Sequence, residues 1–123
     1  MTDDEATKIA NEWIDAWNSH DLDRILSHYS DDVELTSPLV SRVLGDGQGT
    51  VTGKPALRAY FLRALETFPD LRFDFWGAYP GHESLVVHYE SVRKLRAAEL
   101  MKIDGSGRVS EVIAHYASPT AVA

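Results

Sequence analysis

The hydrophobic pattern of this chain changes its period once, and this change restricts the fold more than any other feature. Apolar residues first recur at helical spacing, in three stripes that end at Trp17, Tyr29 and Phe68. From Leu71 onward they alternate with polar residues, as strands with one buried face do. Helices followed by sequential hairpins predict a segregated α+β fold, in which three N-terminal helices pack on one face of an antiparallel sheet.

Local signals locate most of the element boundaries. Asp21 is a typical N-cap for the second helix, and Pro55 is typical of the first position of the third. Residues 33–37 alternate as a short strand. Residues 39–53 hold four glycines and little periodicity, which predicts a loop over the mouth of a pocket.

The second half of the chain predicts long strands joined by turns. Residues 84–92, 95–103 and 108–117 alternate in polarity, and Asp104-Gly105-Ser106-Gly107 is a hairpin turn. Strands of this length twist and curl, so helices laid on the concave face leave a cone-shaped apolar cavity.

Composition excludes several classes of protein. The formal net charge of −7 and the lack of a basic run argue against nucleic acid and anionic membranes as partners. Without cysteine there is no disulfide, thiolate metal site or cysteine nucleophile. No signal-peptide core or membrane-length apolar run is present, so we expect a cytoplasmic protein that is one domain over residues 1–123, with residues 118–123 as a frayed tail.

Four segments of the sequence resemble a known superfamily. They are WIDAWNSHDLDRILSHYSDDVELTSP, GKPALRAYFLRAL, FPDLRFDF and KIDGSGRVSEVIAHY. Together they closely resemble the nuclear transport factor 2-like superfamily, whose fold is also described as cystatin-like. The most similar branch is the SnoaL-like one, near the ketosteroid isomerases and polyketide cyclases. The resemblance predicts the fold specifically but says little about the function, because the superfamily contains several enzyme classes and non-catalytic modules.

Strand parity, together with this resemblance, selects the side chains that face the cavity. On each long strand one set of alternate residues is apolar, and we assign that set to the concave face. The helices and the short strand close the cavity from the other side. The predicted ligand-binding residues are Trp13, Trp17, Tyr29, Ser37, Tyr60, Phe61, Val87, Tyr89, Met101, Val112, Ala114 and Tyr116.

Glu99 is the one carboxylate in the predicted wall and the candidate catalytic residue. Burial in an apolar pocket would raise its pKa and fit it for proton transfer. The alternative is that Glu99 sits at the rim of the cavity, or that the register slips by one residue and turns Glu99 outward toward a Lys or Arg.

The resemblance implies which activities are absent. Glu99 is similar to the oxyanion-hole acid of ketosteroid isomerases, but Ser37 lies where those enzymes keep their base and Trp13 where they keep a tyrosine. Authentic steroid isomerisation is therefore not expected, because a serine hydroxyl does not abstract a proton at neutral pH. The Asp-Arg-Asp set of the superfamily's epoxide hydrolases has no counterpart at concave positions.

These observations leave two hypotheses open. One is a cofactor-independent isomerase, cyclase or lyase that acts on a small apolar carbonyl compound by proton transfer through Glu99. The other is a non-catalytic ligand-binding or dimerisation module. We expect no metal site, because His88 and His115 with Glu90 and Glu111 fit no standard zinc spacing. We also expect a homodimer joined through the convex sheet face, as the apolar residues there and the resemblance imply.

Overall fold

The computed structural model describes residues 1–45 and 47–119 as helices packed on a six-stranded curved sheet. The predicted α+β class is confirmed. The helices are α1 (Asp3–Ser19), α2 (Leu22–Leu26), α3 (Pro38–Leu44) and α4 (Lys54–Thr67). The strands are β1 (Tyr29–Thr36), β2 (Thr50–Thr52), β3 (Asp74–Pro80), β4 (Ser84–Glu90), β5 (Arg96–Ile103) and β6 (Val109–Ala117). Among these residues, no helix is long and apolar enough to cross a bilayer.

The sheet order is β2-β1-β6-β5-β4-β3, so the first strand of the chain pairs with the last. That β1–β6 pair is parallel, whereas the other neighbouring pairs are antiparallel. Glu99 on β5 lies between Val87 of β4 and Ala114 of β6, in the middle of the sheet. Its side chain therefore points to the concave face, where the core packs.

The prediction of a loop over residues 39–53 was wrong, because this segment contributes to α3 and holds β2. The Ser37 hydroxyl caps α3 by accepting from the Leu39 N–H at 3.1 Å, and Pro38 occupies the first turn of the helix. Gly45 ends the helix in the left-handed region, with φ of 70°. A helix of seven residues has too short an apolar stripe to stand out from a loop in the sequence.

Tyr29 was also assigned to the wrong element. The second helix ends at Leu26, and Tyr29 is the first residue of β1. Its ring still packs on Phe61 of α4, with centroids 5.4 Å apart. Strand β3 continues to Pro80, which pairs with Leu85 of β4.

One polar side chain joins α1 to the segment that leads into β3, and a tight turn joins β4 to β5. The side-chain amide of Asn18 on α1 donates to the Phe73 carbonyl at 2.9 Å and accepts from the Phe73 N–H at 2.7 Å, so it fastens α1 to the chain before β3. Between β4 and β5, Arg93 and Lys94 both have positive φ, at 54° and 59°. The Leu95 N–H donates to the Val92 carbonyl at 3.1 Å, which closes a tight turn of the kind that favours Asn-Gly. The predicted frayed tail, residues 118–123, lies mostly outside the described residues.

Candidate functional site

The concave face of the sheet and helices α1, α3 and α4 surround a cavity of about 50 Å³ that opens to the surface. Its wall is mainly aromatic and aliphatic. The lining residues are Trp13, Trp17, Tyr29, Leu35, Ser37, Leu39, Val43, Tyr60, Phe61, Ala64, Phe68, Leu71, Phe73, Tyr89, Ser91, Val92, Glu99 and Tyr116. A crevice on the surface shares Phe68, Leu71, Ser91 and Val92 with it, so these side chains form the boundary between the cavity and that crevice.

Most of the predicted ligand-binding residues are among these lining residues, but four are not. Val87, Met101, Val112 and Ala114 are buried on the concave face without lining the cavity. Their prediction as ligand-binding residues is therefore corrected. Parity identifies the face of the sheet to which a side chain points, whereas the position along the strand decides whether it contacts the cavity or the packed core.

Some lining residues were not predicted. They are Leu39, Val43, Ala64, Phe68, Leu71, Phe73 and Val92. Phe73 and Leu71 follow the alternating pattern before β3, and that pattern could have identified them. Leu39 and Val43 are one helical turn apart on α3 and were hidden by the wrong loop prediction.

The Glu99 carboxyl is only 6% exposed and faces this cavity. The Tyr89 hydroxyl donates to Glu99 Oε1 at 3.1 Å. Glu99 Oε2 has no hydrogen-bond partner among the described residues. The outward orientation that a register slip would have produced is thus not observed, and neither Lys nor Arg pairs with this carboxylate in the part of the chain described.

Burial raises the pKa of Glu99 from its ordinary value of 4.5 to about 7. The hydroxyls of Tyr89 and Tyr116 act in the opposite direction, since they interact with the ionised form and lower the pKa. Desolvation is the larger effect. Near neutral pH the carboxyl is therefore present in both its protonated and its ionised form.

The tyrosine hydroxyls around Glu99 remain protonated. Burial first, and then the charge of Glu99, raises the pKa of Tyr29, Tyr60, Tyr89 and Tyr116. These groups can donate hydrogen bonds but do not compete with Glu99 as acids or bases near pH 7.

The two indole N–H groups of the cavity differ. Trp13 Nε1 donates to the Tyr29 hydroxyl at 2.8 Å. Trp17 Nε1 is buried and has no hydrogen-bond partner among the residues described, although its donor dipole helps to lower the pKa of Tyr29. Trp17 is held in place by its ring, which meets Phe61 edge-on with centroids 4.6 Å apart.

Among the described lining residues, the cavity has one carboxyl group and no cationic side chain. Within the described ranges, no Lys, Arg or His lines it. No group of three or more His, Asp or Glu side chains that could hold a metal ion occurs among those residues either. On the convex face, His88 packs against Trp76 with ring centroids 5.0 Å apart, and Lys102 pairs with Glu111 at 3.5 Å.

Comparison with known proteins identifies the family of the chain. A sequence model of the SnoaL-like domain matches residues 10–118. A solved SnoaL-like protein of unknown function from Burkholderia thailandensis E264 is 39% identical with a TM-score of 0.89, and the similarity covers 95% of this chain and 98% of that one. No functionally curated protein is significantly similar in sequence.

More distant structures share the fold. A proposed isomerase of the SnoaL-like family from Agrobacterium tumefaciens C58 is 16% identical with a TM-score of 0.74, covering 92% of this chain and 97% of that one. A nuclear transport factor 2-like protein of unknown function from Cytophaga hutchinsonii ATCC 33406 is 10% identical with a TM-score of 0.70, covering 91% and 89%. The match of the SnoaL-like domain model over most of the sequence shows that the chain belongs to the SnoaL-like family.

Proposed function

We propose that the protein is an enzyme that moves a proton on a small, uncharged, carbonyl-bearing molecule, with Glu99 as the catalytic group. The observation that carries this proposal is a buried carboxyl in an aromatic cavity, with one oxygen that has no partner among the described residues. Burial raises the pKa of this carboxyl to about 7. An isomerase, cyclase or lyase that needs no cofactor fits this arrangement.

A purely structural core gives no reason for such a residue. Burying an ionisable group without full pairing costs free energy, and the same space could hold a Leu or Met. Residues that break the rules of core packing in this way concentrate at functional sites. Near pH 7 the protonated Glu99 can donate a proton, and its ionised form can take one from a carbon next to a carbonyl.

Glu99 carries both proton-transfer roles in this proposal. The Ser37 hydroxyl already caps α3 and is too weak a base to share the work. The Trp13 N–H is bound to the Tyr29 hydroxyl. A single carboxylate that removes a proton and returns it suffices for hydrogen exchange or for a shift of a double bond.

The lining supports a neutral ligand of modest size. With no cation in the described wall, a phosphate or sulfate group would enter without compensation for its charge. An engineered cavity of about 150 Å³ binds benzene. At about 50 Å³, this cavity accommodates the carbonyl end of a ligand while the rest extends toward the mouth.

Exchange of the α-hydrogens of cyclopentanone in D₂O, followed by proton NMR, tests the proposal. The native protein should accelerate exchange above buffer, and Glu99→Gln should lower that rate on the order of 10² or more. Glu34→Gln, an exposed position on the convex side of β1, is the matched control and should leave it unchanged. Equal rates for native protein and Glu99→Gln would contradict the assignment of Glu99.

The small volume of the cavity favours a second candidate, a non-catalytic ligand-binding or dimerisation module. In this alternative the aromatic residues simply fill the cone. Trp76 and Tyr79, at 48% and 59% exposed, add apolar area to the convex face, so we also propose pairing of two chains there. Pairing is compatible with either candidate, and the exchange rate of the Glu99→Gln protein decides between them.

A further inference from the structure

Among the described residues, two buried polar atoms of the cavity wall have no hydrogen-bond partner, and one is a donor and the other an acceptor. Trp17 Nε1 carries a hydrogen-bond donor, and Glu99 Oε2 is an acceptor when the carboxyl is ionised. Both residues are buried and line the same cavity. Leaving a buried polar atom unpaired destabilises the folded state, so two such atoms in one small cavity need an explanation.

The neighbouring hydroxyls compensate these two atoms only in part. Tyr116 lies close enough to Glu99 to lower its pKa, and the Trp17 dipole acts on Tyr29 in the same way. Neither Trp17 Nε1 nor Glu99 Oε2 accepts or donates a hydrogen bond among the described residues. The Trp13 N–H is paired with Tyr29, and the Tyr89 O–H is paired with the other oxygen of Glu99. Of the two indole N–H groups in the wall, that of Trp17 is the one without a hydrogen-bond partner among the described residues.

We infer that Trp17 Nε1 binds the carbonyl oxygen of the ligand while Glu99 Oε2 faces the adjacent carbon. This inference rests on the proposed function and deepens it by naming the atom that orients the substrate. The ligand class is a neutral carbonyl compound with at least one hydrogen on the carbon next to the carbonyl.

The step balances without another reactant. Glu99 takes the α-proton, the C–H electron pair forms the C=C bond of an enolate, and the carbonyl π electrons move to oxygen. The Trp17 N–H donates a hydrogen bond to that developing oxyanion. Glu99 then returns the proton, or a deuteron gained from solvent, to the same carbon or to a conjugated one.

Indole proton–nitrogen NMR tests the contact directly, with cyclopentanone as the probe. Cyclopentanone should move the Trp17 indole proton downfield in a saturable way and leave that of Trp13 nearly unchanged. Methylenecyclopentane, in which a CH₂ group replaces the carbonyl oxygen, should give no downfield shift. A Trp17 resonance that does not respond at cyclopentanone concentrations that saturate exchange would overturn the inference and leave the proposed function standing.

The reverse result, a saturable Trp17 shift without catalysed exchange, would support this contact and refute the proposed function. Absence of both effects would contradict the two proposals together. These outcomes keep the failure of one distinguishable from the failure of the other.

Two variants separate the hydrogen bond from packing. Benzothienylalanine at position 17 keeps the shape of the ring system and replaces N–H with sulfur, and it should lower kcat/KM for exchange about 10²-fold. Trp13→Phe should lower the urea midpoint of unfolding more than Trp17→Phe does, because it breaks a buried hydrogen bond as well as removing ring volume. An unchanged exchange rate with benzothienylalanine at position 17 would overturn the role of its N–H.

Discussion

Replacing Glu99 with Gln should change how the free energy of unfolding depends on pH. The size of this change is set by how far burial in the cavity raises the pKa of Glu99. Below about pH 4.5 the carboxyl is protonated in both folded and unfolded chains and adds no pH dependence. Between about 4.5 and 7 the unfolded chain ionises while the folded one keeps its proton, so the free energy of unfolding falls as pH rises. Above about pH 7 the loss is constant.

The size of the effect follows from the pKa difference. At ~1.36 kcal/mol per pKa unit, a rise from 4.5 to about 7 corresponds to about 3 kcal/mol. Glu99→Gln removes this ionisation, so the stability of the variant relative to the native protein should increase by about 3 kcal/mol between pH 4.5 and 8. Groups common to both proteins cancel in that difference.

Urea unfolding followed by tryptophan fluorescence, at pH steps across this range, measures the effect. Glu34→Gln on the exposed side of β1 is the control and should give a much smaller pH dependence. A stability difference between Glu99→Gln and native protein that stays constant from pH 4.5 to 8 would refute the claim that Glu99 is buried without compensation.

Three further predictions concern the turn, the convex face and catalysis. Arg93→Asn with Lys94→Gly should raise the free energy of unfolding by about 1–2 kcal/mol, because both residues have positive φ; an unchanged urea midpoint would contradict this. Light scattering should give the mass of a dimer for the native protein and of a monomer for Trp76→Lys. Leu62→Lys, at an equally exposed position on α4, should remain a dimer. A native protein that is monomeric at micromolar concentration would contradict the proposed interface. Catalysed cyclopentanone exchange should rise with pH and level off above about pH 7 as Glu99 ionises, and a rate independent of pH from 5 to 8 would exclude that base.

The sequence patterns predicted the structural features that depend on the hydrophobic period and on the parity of residues along a strand. The switch from helical to alternating spacing gave the fold class, and alternation along β5 identified the face on which Glu99 lies. Thr2 and Glu5, whose spacing is that of a capping box, make the reciprocal contacts of that motif at 3.1 Å. These features are local, so each can be inferred from a few neighbouring residues.

Features set by tertiary contacts could not be predicted in the same way. The parallel pairing of β1 with β6 joins segments from opposite ends of the chain. The short helix α3 depends on packing against α4, through which it contributes Leu39 and Val43 to the cavity. The lack of a partner for Trp17 Nε1 depends on the assembled core. Trp13 and Trp17 are the same residue type and lie on the same apolar stripe of α1, so the sequence pattern does not distinguish them.

We expect the Glu99 carboxyl to titrate near neutral pH inside the cavity, and carbon-13 NMR of the carboxyl carbon measures this pKa directly. Protein labelled at the side-chain carboxyl carbons of glutamate should show one resonance that titrates with a pKa of about 7 and is missing from Glu99→Gln. A Glu99 resonance that titrates near 4.5, like an exposed glutamate, would contradict the account of the site and the proton-transfer function built on it.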